Sequence, residues 1–162
     1  MLLYNQYLEG QGFMLKAAPK LDTRFHPKIN HINYDLIVVL DIPQIEQDFI
    51  DQAKSQIMWI DHHQVQDQQK VLYYNPRIKD DKAYIPTTRM AYQIIEKKIR
   101  GHKKYAEANP DLWIAMVGCL SDWHMPDFTK KFCKIYPDLM EKDDDIGTAL
   151  YAQPIGTVAK VF

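Results

Sequence analysis

The sequence lacks the features that mark membrane proteins, secreted proteins and proteins that coat nucleic acid. No apolar run approaches the roughly 20 residues that a transmembrane helix needs. No basic segment followed by an apolar core marks a signal peptide. The net charge is −1, so the chain has no overall basic field to hold nucleic acid regardless of sequence. These absences predict a cytoplasmic protein that does not enter a membrane, and they leave room for a local ligand site.

Cysteine is also scarce. The chain has two, Cys119 and Cys133, and neither belongs to a CxxC or Cys/His pattern of the kind that binds zinc. Free thiols in a reducing compartment are therefore expected rather than a disulfide framework. Internal repeats, low-complexity tracts and a clear linker are absent too. With 162 residues, 46% of them hydrophobic and 25% charged, the chain has the composition of a globular protein with one core.

Two apolar runs predict buried strands. Leu36–Leu40 is a continuous β-branched and aliphatic run, and Gln56–Ile60 has a similar pattern, as expected of strands covered on both faces. The segment 45–54 between them has the apolar spacing of a helix. A strand, a helix and a strand within about 25 residues form a βαβ unit, which favours a parallel sheet. The predicted fold is therefore α/β, a three-layer sandwich with a mainly parallel sheet and helices on both faces.

Other segments complete this expectation. A helix fragment over 2–9 and a strand over 13–18 precede a helix over 23–32 for which Asp22 is the expected N-cap. A further strand is predicted over 71–74. Further helices are predicted over 86–99, from 109 to about 121, near 127–135 and near 145–152.

Polar side chains follow both predicted strands. Asp41 closes the first strand, and Asp61, His62 and His63 come directly after the second. Because ligands of open α/β sheets bind beyond the carboxyl ends of the strands, we expect these side chains to meet at one edge. Carboxylate oxygens suit hard divalent cations, and imidazole extends the preference to manganese, iron or zinc. A helix cap at Asp41 and a polar turn at the two histidines are the alternative interpretations.

Asp122 is the third acid of interest. It is predicted at the end of an apolar helix, where a carboxylate meets the negative end of the helix dipole at a cost of roughly 0.3–1 kcal/mol. A nearby cation would reverse that sign, whereas an exposed turn would explain the residue without any ligand. Three acids and two histidines from separate segments indicate a metal site.

These motifs resemble those of the DHH phosphoesterase superfamily. Asp61-His62-His63 after an apolar strand looks like the signature, Asp41 looks like the second motif, and Asp122 in Gly-x-x-x-Asp looks like the fourth. The segments 16–22 and 74–77 are similar to those of RecJ-like and oligoribonuclease-like members of archaeal type. The resemblance covers about residues 2–125. The superfamily includes single-strand nucleases, oligoribonucleases, phosphoadenosine phosphate phosphatases, exopolyphosphatases and family II pyrophosphatases.

The resemblance implies a hydrolase, a metal-dependent phosphoesterase. Asp41 would bridge two metal ions, His62 and Asp122 would ligate one of them, His63 would face the scissile phosphate, and Asp61 would orient the histidines. Two ions would generate a hydroxide and clamp the phosphoryl oxygens. The expected ion is Mn²⁺, with Mg²⁺ or Co²⁺ as alternatives. The expected substrate is a nucleotide, a short oligonucleotide or another small phosphorylated molecule.

Arginines could complete such a site. Arg77 and Arg89 are the candidates for binding substrate phosphate, and Arg77 is preferred because its loop follows the histidines. The basic cluster over 97–104 is interpreted as a solvated helix end. The ten tyrosines are scattered, and we interpret them as packing residues rather than as platforms for stacking bases.

The first motif of the superfamily, His-x-Asp-x-Asp, is not found in the sequence. The helix fragment over 2–9 looks like the second half of the helix that follows this motif, so the first strand is expected to be missing. The resemblance therefore implies a partial catalytic domain over 1–125, a helical C-terminal extension of the same domain over 126–162, and no second substrate-binding domain. The alternative is a non-catalytic remnant or split-gene fragment that binds nucleotides or a partner. In that case another polypeptide could supply the missing strand.

Overall fold

A computed structural model of the protein describes residues 19–29, 33–99 and 111–161. These residues fall into two compact units, one that ends at Thr87 and one that begins at Thr88. Each unit has its own hydrophobic core. The boundary expected near residue 125 falls inside the second unit. The predicted helix over 2–9, the strand over 13–18 and most of the basic cluster lie outside the described residues.

Parallel strands organise the first unit. The strands are β1 (Lys20–Leu21), β2 (Leu36–Leu40), β3 (Gln44–Ile45), β4 (Gln56–Ile60) and β5 (Leu72–Tyr74). β1 pairs with β3, and a separate three-stranded sheet has the order β2–β4–β5, with every pairing parallel. Together with the helices, this arrangement confirms the predicted α/β class. β2 and β4 have the predicted bounds, because each apolar run is bounded by polar or turn residues.

Among the described residues, the first unit has two short α-helices. The 3₁₀ turn Thr23–Phe25 leads into helix α1 (His26–Ile29), and α2 spans Gln47–Gln52. The Asp22 side chain accepts a hydrogen bond from the Arg24 backbone N–H, so the predicted N-cap is confirmed. The helix predicted over 45–54 is shorter, because Ile45 pairs with β1 as part of β3.

Burial differs between the two long strands. Ile57, Trp59 and Ile60 of β4 are buried, as expected for the central strand of the sheet. In β2 only Val39 is buried, and Leu36 is exposed. The prediction that β2 is covered on both faces was therefore wrong. Within the described part of the chain, β2 is the end strand of its sheet, and the five-residue apolar pattern does not reveal which strand is central.

Helices form the second unit. They are α3 (Thr87–Ile99), α4 (Leu112–Ser121), α5 (Thr129–Ile135), α6 (Ile146–Tyr151) and α7 (Pro154–Val161), separated from the first unit after the first residue of α3. Helix α4 supplies the buried residues Leu112, Met116 and Leu120 to the core, which confirms the prediction that this helix is buried. Helix α7 was not predicted. No helix in the three described ranges has both the length and the apolar character needed to cross a bilayer.

Candidate metal site

The carboxyl ends of β2 and β4 bring two acids to one edge of the sheet. The register pairs Leu40 with Ile60, the last residues of the two strands. The Asp41 backbone N–H then donates to the Ile60 carbonyl at 3.1 Å, and the Asp61 N–H donates to the Tyr74 carbonyl at 3.1 Å. Asp41 and Asp61 therefore follow adjacent parallel strands at the same edge, as the sequence predicts.

Asp41 has an unusual backbone conformation. Its φ is 60°, in the left-handed region that costs most residues roughly 1–2 kcal/mol and that aspartate visits more readily than bulkier residues. Its side chain is 51% exposed, and Oδ1 lies 3.3 Å from Nε2 of His62. The Thr87 hydroxyl donates to the same oxygen at 3.0 Å. The hydrogen bond with His62, followed by that with Thr87, keeps the pKa of Asp41 below its usual range although burial opposes the shift.

The alternative interpretation of Asp41 as a helix cap does not describe this geometry. Helix α2 begins after Glu46, which is its N-cap residue. The Asp41 carboxylate instead faces His62 and Thr87. The two histidines differ in exposure, since the side chain of His62 is 8% exposed and that of His63 is 41% exposed.

Asp61 is completely buried and holds His63. One carboxylate oxygen of Asp61 accepts from the His63 backbone N–H at 3.0 Å, and the other lies 2.7 Å from Nδ1 of the His63 ring. In the neutral tautomer that donates from Nδ1 to this carboxylate, Nε2 of His63 carries the lone pair that a metal ion needs. This geometry is the one that an orienting role for Asp61 requires.

Asp41, His62 and His63 form a group that could hold a metal ion. Each offers one ligand atom, and these atoms all lie within 4.8 Å of one another. Atoms that share an ion at about 2.0–2.2 Å lie roughly 3 to 4.4 Å apart, depending on whether they are neighbouring or opposite. The 3.3 Å between Asp41 and His62 fits two neighbouring ligands. The donor set of one carboxylate and two imidazoles suits a divalent transition metal.

Several residues around this group were not predicted from the sequence. Asn75 is buried and donates to the His63 carbonyl at 2.9 Å and to the Tyr73 hydroxyl at 2.9 Å. The Tyr84 ring lies 5.4 Å from the His62 ring. Thr87, already described, lies 46 residues from Asp41 in sequence. The sequence signals were weak: a turn residue before a proline for Asn75, and a helix start for Thr87.

Asp122 belongs to the second unit. It follows the last residue of α4 and is the C-cap residue of that helix, in the predicted position. The group of three candidate ligands found among the described residues consists of Asp41, His62 and His63. His63 therefore lies with the candidate metal ligands, whereas the resemblance implies that it faces the phosphate. The part that Asp122 plays in metal binding stays a prediction.

The two candidate arginines have different environments. In the first unit, Arg77 Nε donates to the Asp81 carbonyl at 2.9 Å within its own loop. In the second unit, Arg89 is buried and makes a bidentate ion pair with Asp127, with both distances 2.8 Å. This pair lowers the pKa of Asp127. Because a carboxylate already compensates the charge of Arg89, Arg77 is the better candidate for a phosphate.

Comparisons with known proteins bring no further evidence, because no family model, curated protein or solved structure matches the chain. The class that the fold and the site define is an α/β protein with a candidate divalent-metal site at the carboxyl edge of a parallel sheet.

Proposed function

We propose that the chain is a metal-dependent phosphoesterase of the DHH type, which hydrolyses phosphodiester or phosphomonoester bonds of nucleotide or nucleic-acid substrates. One observation carries the proposal: Asp41, His62 and His63 converge at the carboxyl edge of the parallel sheet, with all three ligand atoms within 4.8 Å. These residues are also the ones through which the sequence resembles the superfamily.

Each residue has a distinct role in this proposal. His62 is buried and offers Nε2, while Asp41 offers Oδ1, so these two side chains would hold the ion. A bound Mn²⁺, or Mg²⁺ or Co²⁺ in its place, would supply an activated water and a positive charge for the phosphoryl oxygens. Asp61 fixes the ring of His63 so that Nε2 stays available to the ion or to the phosphate.

A non-catalytic metal-binding or nucleotide-binding role is the second candidate. Its motivation is that the clustered ligands in the described part of the chain suffice for one ion, whereas a two-metal mechanism needs two ions a few ångströms apart, roughly 3.5–4 Å. Titration calorimetry with Mn²⁺ distinguishes the two candidates. Two sites per chain support the phosphoesterase mechanism, and a single site supports the simpler role.

The direct test is hydrolysis. The chain is assayed with Mn²⁺ on short oligonucleotides, 3′-phosphoadenosine phosphate and polyphosphate, with and without chelator. We expect Mn²⁺-dependent release of product from at least one of these substrates. His62→Ala and Asp41→Asn should each lower the rate at least 100-fold, because each removes a ligand.

The control is Asp51→Asn. Asp51 is an exposed acid that pairs with Lys70 at 2.9 Å and lies outside the three-residue group. This variant should keep the wild-type rate. If no substrate is hydrolysed, or if His62→Ala retains the full rate, the proposed activity is wrong.

A further inference from the structure

An exposed aromatic pair occupies one surface of the second unit. Trp123 is 58% exposed and Tyr151 is 68% exposed, and their ring centroids lie 6.1 Å apart. The Nζ atom of Lys160 lies 4.6 Å from the centre of the Tyr151 ring. We call Trp123, Tyr151 and Lys160 the aromatic platform. Large aromatic side chains are normally covered, so two adjacent exposed rings call for an explanation.

The backbone presents Trp123 in a conformation that tryptophan seldom adopts. The Trp123 N–H donates to the Leu120 carbonyl, and the His124 N–H donates to the Cys119 carbonyl, both at 2.9 Å. This pair of bonds forms a Schellman motif that ends α4, and Trp123 has the position that glycine usually takes. Its φ is 53°. A tryptophan that is both strained and exposed points to a function rather than to packing.

The helix ends that carry the platform pack against one another. The Ser121 hydroxyl at the end of α4 lies 3.1 Å from the Ala159 carbonyl of α7 and 3.0 Å from the Val117 carbonyl, so its single proton is shared between the two helices. Tyr151 ends α6, and Lys160 is in the last turn of α7. The three side chains therefore come from helix ends that pack within one unit, so their arrangement is present before any ligand binds.

The size and charge of the platform favour a nucleotide over a protein partner. An aromatic side chain buries roughly 150–250 Å² when it is fully covered, so two rings supply far less than the roughly 800 Å² per partner of a stable protein interface. A single base covers one ring face. The Lys160 ammonium beside the rings suits the phosphate that accompanies each base.

We propose that the aromatic platform binds single-stranded nucleic acid by stacking a base on Trp123, with Lys160 near the phosphate. Stacking on an indole depends little on base identity. This proposal does not need the metal site or hydrolysis, so the two proposals can fail separately. It differs from the interpretation of the tyrosines as packing residues, because Tyr151 is 68% exposed.

The test is binding of a fluorescently labelled short oligonucleotide, followed by anisotropy in the presence of chelator so that no turnover occurs. Trp123→Leu should weaken binding by about 5- to 150-fold, the range measured for loss of one base–aromatic stack. Trp123→Phe keeps an aromatic face and should stay within about threefold of the wild type. Lys160→Ala should reduce the dependence of log affinity on log salt by about 0.7. Lys130 is an exposed lysine of α5 outside the platform, and Lys130→Ala should leave this salt dependence unchanged.

Four results would overturn the proposal. One is the absence of saturable oligonucleotide binding, and another is equal affinity of Trp123→Leu and the wild type. The third is self-association of the chain that depends on Trp123 and that added oligonucleotide does not change, as measured by sedimentation. That result would assign the surface to a second copy of the chain. Tripolyphosphate, which has no base, should compete only weakly, and strong competition would likewise contradict stacking.

Discussion

Asp61 is a buried side chain that orients His63, one of the three candidate metal ligands. It is completely buried, and both of its carboxylate oxygens are used by His63, one by the backbone N–H and one by the ring. The ring orientation of His63 therefore depends on a carboxylate. Residues that orient metal ligands in this way commonly change affinity by 10–100-fold when they are replaced.

We predict that Asp61→Asn lowers Mn²⁺ affinity about 10- to 100-fold while the fold is retained. Asparagine keeps the size of the side chain but can accept with only one atom, so it cannot serve both His63 donors equally. Titration calorimetry measures the affinity, and circular dichroism checks the fold. Asp51→Asn is the control. Unchanged affinity in Asp61→Asn would show that His63 does not depend on this carboxylate.

At the scale of the element, the approach between α3 and α4 depends on one glycine. A Cβ atom at Gly118 of α4 would lie 2.6 Å from Thr88 Cγ2 and 2.7 Å from Thr88 Oγ1. Thr88 is β-branched and has few alternative rotamers in a helix. Because these distances are shorter than van der Waals contact, a Cβ atom at Gly118 would force α3 and α4 to shift against each other.

We predict that Gly118→Ala lowers the free energy of unfolding by about 1–3 kcal/mol through overpacking. Thr88→Ala in the same chain should restore most of the loss, since it removes both of the closest atoms. Urea denaturation of the two single variants and the double variant measures this coupling. Gly147→Ala is the control, because its nearest atom would be Asp145 Oδ1 at 3.3 Å. Equal losses in Gly118→Ala and Gly147→Ala would rule out the contact with Thr88 as the cause.

An ion pair stabilises the 3₁₀ turn before α1. Asp22 begins the 3₁₀ turn before α1. Its carboxylate accepts hydrogen bonds from Arg24 Nε at 2.9 Å and from Arg24 Nη2 at 2.7 Å. This hydrogen bonding to Arg24 lowers the pKa of Asp22 from 3.8 to about 2. A lowered pKa in the folded state means that the stabilisation is fully present above the unfolded value and is lost as the carboxylate becomes protonated.

We therefore predict that the free energy of unfolding falls more steeply between pH 4 and pH 2 in the wild type than in Asp22→Asn. Asparagine can still cap the turn, but it has no carboxylate to titrate. Thermal or urea unfolding over this pH range measures the slope. Asp138→Asn, which replaces an exposed acid, should keep the wild-type slope. Parallel curves for Asp22→Asn and the wild type would contradict the prediction.

At the scale of the whole molecule, two separate cores support the chain. Phe49 is completely buried in the core of the first unit, and Phe132 is completely buried in the core of the second. The His26 ring stacks on Phe49 at 4.5 Å, and the Tyr136 ring lies 5.1 Å from Phe132. Because each phenylalanine is completely buried in the core of its unit, each should contribute strongly to stability.

We predict that Phe49→Ala and Phe132→Ala each lower the free energy of unfolding by about 3–5 kcal/mol, because each leaves a cavity in a closely packed core. That is a large part of the roughly 5–15 kcal/mol typical of a whole domain. Urea denaturation provides the measurement. Ile78→Ala is the control, since Ile78 is 55% exposed and should change stability by less than about 0.5 kcal/mol. A loss as small as that of Ile78→Ala in either phenylalanine variant would contradict the assignment of that core.

Local patterns predicted much of the fold. β2, β4, α3 and α4 were predicted within a few residues of their bounds, because long apolar runs and helix starts are signals within one segment. The two-residue strand β3 was not predicted, since its strand partner among the described residues is β1, 24 residues away. The exposed position of β2 was missed for the same reason: burial on both faces depends on which strands lie beside it.

The amino-acid sequence by itself determined the parallel βαβ arrangement and the placement of Asp41 and Asp61 after adjacent strands. Parallel strands carry their carboxyl ends to one edge, so the topology follows from the order of the apolar runs. Only the tertiary structure decided that the ligand atoms of Asp41, His62 and His63 lie within 4.8 Å of one another, that Thr87 donates to Asp41, and that Trp123 is exposed beside Tyr151. These contacts join residues that are brought together by packing and backbone conformation, and no local pattern specifies such distances.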